Sequence, residues 1–216
     1  FPACLTDLQA GFSFPWVYPP GMYNVTFGSA SDKPFASGRE MTWDVTWALG
    51  GLDGEDSFVL FVNWQTNRDF LNKVPLPGFV YRYRQGDWFT LLLGFPDNAI
   101  AWRPTEQFEL AASYKFPRTV YSRVSYLPRP NVRLFAGFEW ENLRFFRHDR
   151  HHTRDRLWYD EKRVLAGVRW NFNDATYLEA SAGYAFDRMW FEGETYQDRS
   201  FNRIDIADGP FVGVQF

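Results

Sequence analysis

The chain has 216 residues, a formal net charge of −3 and an aromatic content of 20%, with 23 Phe, 10 Trp and 11 Tyr. This length fits a single domain. The net charge is slightly negative, whereas a nucleic-acid-binding protein usually carries a basic surface. No run approaches the ~18 consecutive apolar residues of a membrane helix, although the mean hydropathy of −0.40 alone is that of a soluble chain. The single cysteine, Cys4, excludes an internal disulfide.

Residues 1–38 are rich in Pro, Gly and Ser and contain one convincing extended run, residues 22–27. We therefore expect a lead segment over residues 1–38 and one domain over residues 39–216. The first four residues resemble a degenerate lipobox, which leaves lipidation of Cys4 open. Because the sequence has neither an initiator Met nor a signal peptide, we expect that it was processed or trimmed.

From residue 40 onward, apolar and polar residues alternate in successive segments, with Met41, Trp43 and Val45 as the first apolar members. A period of two gives a strand one apolar and one polar face. Clear alternation occurs in residues 41–49, 57–65, 79–84, 107–116, 132–141, 164–172 and 178–187. Residues 87–95 and 119–127 are less regular strands.

The chain closes on a further alternating run in which Val212, Val214 and Phe216 share one face. A final strand ending in an aromatic residue is typical of outer-membrane β-barrels, where the last strand pairs with the first. We predict an all-β, antiparallel transmembrane β-barrel of about ten strands, within a range of about 8–12, with short turns at one end and long charged loops at the other. The competing interpretation is a soluble β-sandwich with an aromatic core.

The alternation assigns side chains to two environments in such a barrel. The predicted girdle at the membrane interfaces comprises Trp43, Trp47, Trp64, Trp140, Trp170 and Tyr184. The predicted lumen lining comprises Asp44, Arg82, Arg84, Glu109, Lys115, Arg133, Glu139, Arg163, Arg169 and Glu179. Both signs occur in similar number, so these charges either pair and fill a narrow lumen or line a small pore. We expect the lead segment, residues 1–38, to lie in the periplasm or to fill the lumen of the barrel.

Three motifs give a resemblance to a known family. They are Pro75-Leu76-Pro77-Gly78, then Leu93-Gly94-Phe95-Pro96 followed by Trp102-Arg103-Pro104, and Ala182-Gly183-Tyr184-Ala185-Phe186-Asp187-Arg188. Over about residues 76–194 and the final strand, the chain resembles a family of uncharacterised outer-membrane β-barrel proteins. The resemblance implies a fold and a location, and it supplies no site residues because the family has no assigned activity.

All three histidines lie in one charged segment, residues 147–161. His148, His151 and His152 with Asp155 are candidate ligands of Zn²⁺ or Cu²⁺. The interleaved arginines Arg147, Arg150, Arg154 and Arg156 disfavour a cation and suit an anionic partner such as lipopolysaccharide phosphate. The third interpretation is an ordinary solvated loop.

Three functions remain open from the sequence. The first is a structural or accessory role in the envelope of a Gram-negative bacterium, within a larger outer-membrane assembly. The second is a narrow pore for small polar or ionic solutes, and the third is an outer-surface enzyme acting on lipids or peptides. No spacing links a histidine to a serine nucleophile, so no catalytic residue is assigned. We expect no cofactor, and as partners outer-membrane lipid, lipopolysaccharide and other envelope proteins, but no nucleic acid.

Overall fold

The computed structural model describes residues 4–18, 20–50, 55–173 and 175–216. Within these ranges the chain forms one antiparallel sheet of 14 strands, ordered β1 to β13 as in the sequence, with β14 also paired to β12. The strands are β1 (Thr6–Val17), β2 (Pro20–Ser31), β3 (Met41–Gly50), β4 (Asp56–Gln65), β5 (Leu76–Gln85), β6 (Phe89–Phe95), β7 (Asp97–Thr105), β8 (Phe108–Lys115), β9 (Thr119–Arg129), β10 (Val132–Phe145), β11 (Arg156–Asn171), β12 (Tyr177–Gly193), β13 (Ile204–Ile206) and β14 (Gly209–Gln215). A 3₁₀ segment, Tyr196–Ser200, follows β12. None of the described residues forms a helix long and apolar enough to cross a lipid bilayer.

The two ends of the sheet differ in their connections. The long connections, residues 32–40, 66–75, 146–155 and 194–203, all leave from one end, which we call the long-loop end. Tight turns such as residues 86–88, 106–107 and 130–131 lie at the opposite, short-turn end. This asymmetry follows from strict up-and-down pairing, because every second connection returns to the same end.

The sheet is strongly curved. The end of β2 meets the end of β10 through a bridge between Ser31 and Phe146, and the Phe146 backbone N–H donates to the Ala30 carbonyl at 2.7 Å. Asn67, just after β4, donates to the Arg144 carbonyl at the end of β10 at 3.1 Å. The curvature therefore brings together strands that lie many positions apart. The sheet is not closed by pairing, since neither β1 nor β14 has a strand on its second side among the described residues.

The expectation of an all-β antiparallel fold is confirmed, and the strand inventory is larger than expected. Residues 6–17 and 20–31, which the sequence analysis assigned to a lead segment, form β1 and β2 of the same sheet. The expected boundary at residue 38 is therefore not a boundary of the sheet. β1 contains Pro15, and an edge strand tolerates proline because the missing N–H can face away from the ladder. β7 and β13 are the other strands that the alternation did not reveal.

A small apolar cluster lies at the long-loop end, where β11 and β12 extend beyond their neighbours. Trp158 and Phe191 stack with ring centroids 5.5 Å apart, and Tyr196 packs edge-on against both rings. Met189 completes this buried cluster. This buried apolar cluster therefore lies at one end of the sheet rather than between two layers.

Candidate functional site: a polar, ion-paired inner face

The two faces of the curved sheet have opposite chemistry. On the inner, concave face, Thr46 of β3 lies opposite Asn63 of β4, and Asp44 lies opposite Gln65. The outer face carries the alternate residues, which include large, apolar and exposed side chains in β1 to β12 and in β14. Examples are Phe12, Trp43, Leu60, Phe79, Leu93, Trp102, Tyr114, Val124, Leu134, Val168, Leu178 and Val214. A soluble sheet protein buries its apolar face, so this arrangement is inverted.

An ion-pair network fills the inner face of β9 to β12. Glu179 is buried and accepts from Arg123 at 3.1 Å and from Arg169 at 2.7 Å. Arg163 pairs with Glu139 at 2.5 Å and continues toward the long-loop end by contacting Glu141 at 3.2 Å. Because carboxylates and guanidinium groups alternate along this network, the buried charges compensate one another.

The network extends beyond the residues that alternation assigned to the lumen. Arg163 also lies 3.6 Å from Glu161, which in turn pairs with Arg188 at 2.8 Å. The Tyr121 hydroxyl donates to Glu141 at 2.8 Å. Glu141 shares the inward face of residues 132–141 with Glu139, whereas Glu161 and Arg188 lie beside a register shift in the β11–β12 ladder, between Asp160 and Lys162, that interrupts the regular alternation.

The other predicted lumen residues occupy varied places on the inner face. Arg133 pairs with Glu109 at 2.7 Å, and Arg103 reaches the same carboxylate. Asp44 accepts from the Asn63 amide at 2.5 Å. Arg82 lies opposite Ser57 and Leu92 in the strand register. Lys115 lies 3.8 Å from Asp97 in an exposed pair. Arg84 pairs with Asp87 in the exposed β5–β6 turn.

The predicted girdle residues lie at both ends of the strands. Trp47 and Trp170 are near the short-turn end, and the Trp47 indole donates to the Pro20 carbonyl at 3.2 Å. Trp43, Trp64 and Trp140 lie toward the long-loop end, whereas Tyr184 is mid-strand. The Trp64 indole donates to the Lys73 carbonyl at 3.1 Å, and that of Trp140 donates to Asp160 at 3.0 Å.

The histidine segment does not gather the predicted metal ligands. His148 Nδ1 lies 2.6 Å from an Asp32 oxygen, and its Nε2 lies 2.9 Å from the Lys33 amine. Asp32, His148 and Asp149 approach one another within 4.8 Å, but both oxygens of Asp149 accept from Arg147. The group is therefore already satisfied by cations. His151, His152 and Asp155 take no part in it.

The arginines of this segment are also engaged within the protein. Arg150 and Glu40 form a buried pair at 3.4 Å, which joins the connection after β2 to the one after β10. Arg147 pairs with Glu192 at 2.9 Å. The buried Arg156 donates to the Glu194 carbonyl at 2.6 Å, whereas Arg154 remains exposed. These contacts tie the connections after β2, β10 and β12 into one cap.

A second group of contacts fixes the cap to the sheet. Arg118, in the β8–β9 turn, holds both oxygens of Asp69 at 2.9 Å and lies 3.5 Å from the centre of the Tyr196 ring. Asp160 is buried and accepts from Asn142 at 2.9 Å and from Tyr196 at 3.1 Å. In the histidine segment, Arg150 and Arg156 are buried whereas residues 151–154 are exposed, so the interpretation as a solvated loop describes only part of it.

Described residues line two cavities on the inner face. The first, of about 500 Å³, lies beneath the cap and is lined by polar groups including Gln9, Asp44, Gln65 and Asn142. The second, of about 430 Å³, lies over β6 to β9 and is lined by small residues such as Ala99 and Ala111. The ion-paired region around Glu139 and Arg123 borders the second cavity.

Cys4 is exposed and has a free thiol. Residues 1–3, the rest of the lipobox-like sequence, lie outside the described residues. Lipidation of Cys4 therefore stays a prediction.

No protein-family model, curated protein or solved structure matches the chain. Functional inference therefore depends on the geometry of the two faces and the cap.

Proposed function

We propose that the protein is an integral outer-membrane protein whose curved sheet crosses the bilayer, closes into a barrel and serves a structural or accessory role in the cell envelope. The observation that carries this proposal is the inverted sheet, with an apolar exposed outer face and a polar inner face neutralised by ion pairs. Hydrocarbon is the solvent that favours such an outer face, because every second side chain can contact lipid while the ladder satisfies the backbone.

Strand length supports the same proposal. β3 and β4 each contain 10 residues, which corresponds to about 33 Å of extended chain. Tilted by about 35–45°, such strands span roughly the 25 Å apolar band of outer-membrane barrels. The long-loop end then lies outside the hydrocarbon layer, where its hydrogen-bonded cap is in contact with water. The family resemblance of the sequence favours the bacterial outer membrane as the location.

The structural role is favoured over an enzyme by how the polar groups are used. A catalytic histidine needs one ring nitrogen free to accept a proton from a nucleophile. The ring nitrogens of His148 face Asp32 and Lys33 instead. The inner carboxylates Glu139 and Glu179 are likewise held by arginines. Outer-membrane lipid and neighbouring envelope proteins are the partners that this role requires.

The proposal is tested by refolding the purified protein in the presence of phospholipid vesicles. We expect the folded protein to float with the vesicles, to resist extraction by carbonate and to migrate faster on gels when unheated than when heated. The soluble β-sandwich makes the opposite prediction, namely a folded monomer that remains in the aqueous fraction. That result would contradict the membrane proposal.

A narrow pore is a second candidate, favoured by the two cavities on the inner face. Both cavities leave space in the interior next to charged side chains, Asp97 and Lys115 in the first cavity and Arg123 and Glu139 in the second. Single-channel recording in planar bilayers tests this candidate. A pore predicts discrete steps whose ion selectivity changes with Arg133→Glu but not with Arg203→Glu, which alters an exposed loop pair. A protein that folds and inserts but shows no conductance would favour the structural role over the pore.

A further inference from the structure

The cavity beneath the cap contains an arginine without a charged partner. Arg144 lines this cavity from the end of β10, beyond Trp140, the last residue of β10 that pairs with β9. Its guanidinium forms no hydrogen bond or ion pair with the residues that the structure describes, and its Nε is buried without an acceptor. Interior charges are normally paired, because an unpaired ion loses its hydration without compensation.

The nearest carboxylate does not neutralise this arginine. Asp69 attracts Arg144 electrostatically, but both of its oxygens accept hydrogen bonds from Arg118 at 2.9 Å. The buried Arg156 adds a further positive charge close to Arg144, and its own hydrogen bonds go to backbone carbonyls. Glu194, which also attracts Arg156, is exposed. This corner of the cavity therefore has an excess of positive charge.

The acidic side chains elsewhere in the cavity have partners of their own. Among the described residues, the lining carboxylates and their partners are Asp7 with Gln9, Asp44 with Asn63, Asp69 with Arg118, and Asp97 with Lys115. Arg68, a second lining arginine, donates to the Asn63 side-chain oxygen, so Asp44 and Arg68 balance each other across one amide. Arg144 differs from Arg68 in having no such balance.

We propose that the cavity beneath the cap binds a small, hydroxylated organic anion, whose carboxylate or phosphate group is held by the guanidinium of Arg144. This site goes beyond the structural role proposed above and does not depend on the membrane location. A guanidinium presents parallel N–H groups that match two oxygens of a carboxylate or phosphate.

The size and remaining lining of the cavity suit such a ligand. Its volume of about 500 Å³ lies within the range of about 300–1,000 Å³ that is usual for small-molecule sites. Thr42 and Thr119 also line it, and their hydroxyls form no side-chain hydrogen bond with the described residues. These groups can contact hydroxyls on the ligand. The exposed pair of Asp97 and Lys115 lies on the wall, which gives solutes access.

The competing interpretation gives Arg144 a packing role only. Its guanidinium carbon lies 5.8 Å from the centre of the Trp158 ring, near the limit of about 6 Å for a cation–π contact. Arg156 lies closer to the same ring, at 4.9 Å. If packing were its whole role, replacing Arg144 would change stability, and the protein would show no preference for anions.

Titration calorimetry on the folded protein in uncharged detergent micelles distinguishes these interpretations. The probes are gluconate and glucose 6-phosphate, with glucose as the neutral control and the ionic strength held constant. We expect at least one of the two anions to bind about tenfold or more tightly than glucose. Gluconate tests a carboxylate and glucose 6-phosphate a phosphate ester, so their relative affinities identify the preferred group.

Variants connect the binding to Arg144. Arg144→Met should abolish the preference for the anion, whereas Arg144→Lys keeps the charge and should retain weaker binding. Arg154→Met removes an exposed arginine of the cap and should bind as the wild type does. Asp69→Asn removes the negative charge beside Arg144 and should strengthen anion binding several-fold. A gain of affinity cannot result from an unfolded cap.

The site is overturned if neither anion binds more tightly than glucose, or if folded Arg144→Met binds the anion as tightly as the wild type. If Arg144→Met does not fold, Asp69→Asn decides: stronger binding supports the site, and unchanged or weaker binding overturns it. These results are independent of the membrane proposal. Failure to enter vesicles would leave the anion site intact, and absence of anion binding would leave the membrane proposal intact.

Discussion

Arg123 on β9 reaches Glu179 on β12, three strand positions away, with an Nη1–Oε2 distance of 3.1 Å. Arg169 binds the same carboxylate from β11 at 2.7 Å. This shared carboxylate links β9, β11 and β12 across the concave face of the sheet. Loss of one partner in a buried pair is costly because the remaining charges stay buried without compensation.

Glu179→Ala should therefore destabilise the protein strongly. The expected loss is about 3–5 kcal/mol, measured as a shift of the urea unfolding midpoint in vesicles. Glu194→Ala is the matched control, because Glu194 belongs to an exposed pair with Arg154 and should change stability by less than about 1 kcal/mol. Equal effects of the two variants would show that the inner network does not hold the sheet.

A charge placed on the outer face should oppose insertion. Val168 lies on the exposed outer side of β11, which faces lipid under the membrane proposal, and arginine near the bilayer midplane costs about 2–4 kcal/mol in outer-membrane barrels. Phe201→Arg, in the exposed connection before β13, is the control and should have little effect. The measurement is the unfolding free energy in vesicles. Wild-type stability of Val168→Arg would contradict a lipid-facing position.

The Asp32–His148 contact makes the cap sensitive to acid. Burial opposes ionisation of Asp32, but hydrogen bonds from the ring and backbone of His148 outweigh that effect and hold the pKa of the Asp32 carboxyl below its usual value. A depressed folded pKa contributes stability above the unfolded value of about 3.9, and this contribution is lost as the pH falls through the folded pKa.

Protease cleavage of the cap tests this pH dependence, with a neutral protease near pH 7 and an acid protease toward pH 2, each rate being divided by the rate for an unfolded substrate at the same pH. Cleavage of the wild type should accelerate below about pH 4. Asp32→Asn should be cleaved faster than the wild type at pH 7 and should show a weaker increase on acidification. Identical pH profiles for both proteins would rule out a contribution from this carboxylate.

The buried Arg150–Glu40 pair should control the order of the long loops. Arg150→Met leaves Glu40, which is 1% exposed, without its cation. We expect cleavage within residues 146–155 to accelerate roughly tenfold or more, since each factor of ten in the population of the open loop corresponds to about 1.4 kcal/mol. Arg154→Met alters an exposed arginine of the same segment and serves as the control. The gel migration of the folded sheet should stay unchanged in both variants.

Alternation predicted the regular strands because outward-facing and inward-facing residues have opposite chemistry. It was clear in β3, β4 and β10 to β12, where an unbroken period of two is present. Residues 8–16 of β1 alternate too, with Pro15 at an inner position, but the Pro, Gly and Ser content of residues 1–38 favoured a lead segment instead. The pattern could not reveal β7, whose ladder is irregular between Trp102 and Thr105. The 3-residue β13 is too short for a period to appear.

The inner charges were predicted as residues, but their partners were not. Alternation assigns Glu139 and Glu179 to the inner face, yet Arg163 and Arg123 become their partners only through strand register and curvature. The cap pairs, such as Arg150 with Glu40, join segments 110 residues apart in sequence. Local pattern carries no information on such long-range contacts, so the structure was needed to find them.

The most direct test of the membrane proposal is quenching of a fluorescent label by spin-labelled lipid acyl chains, position by position along β11. Single cysteines, in a Cys4→Ser background, would be labelled at the outer positions Val164, Ala166 and Val168 and at the inner positions Leu165 and Arg169. The account predicts strong quenching at the outer positions and weak quenching at the inner ones. Uniformly weak quenching, or quenching without a period of two, would contradict a lipid-facing outer surface.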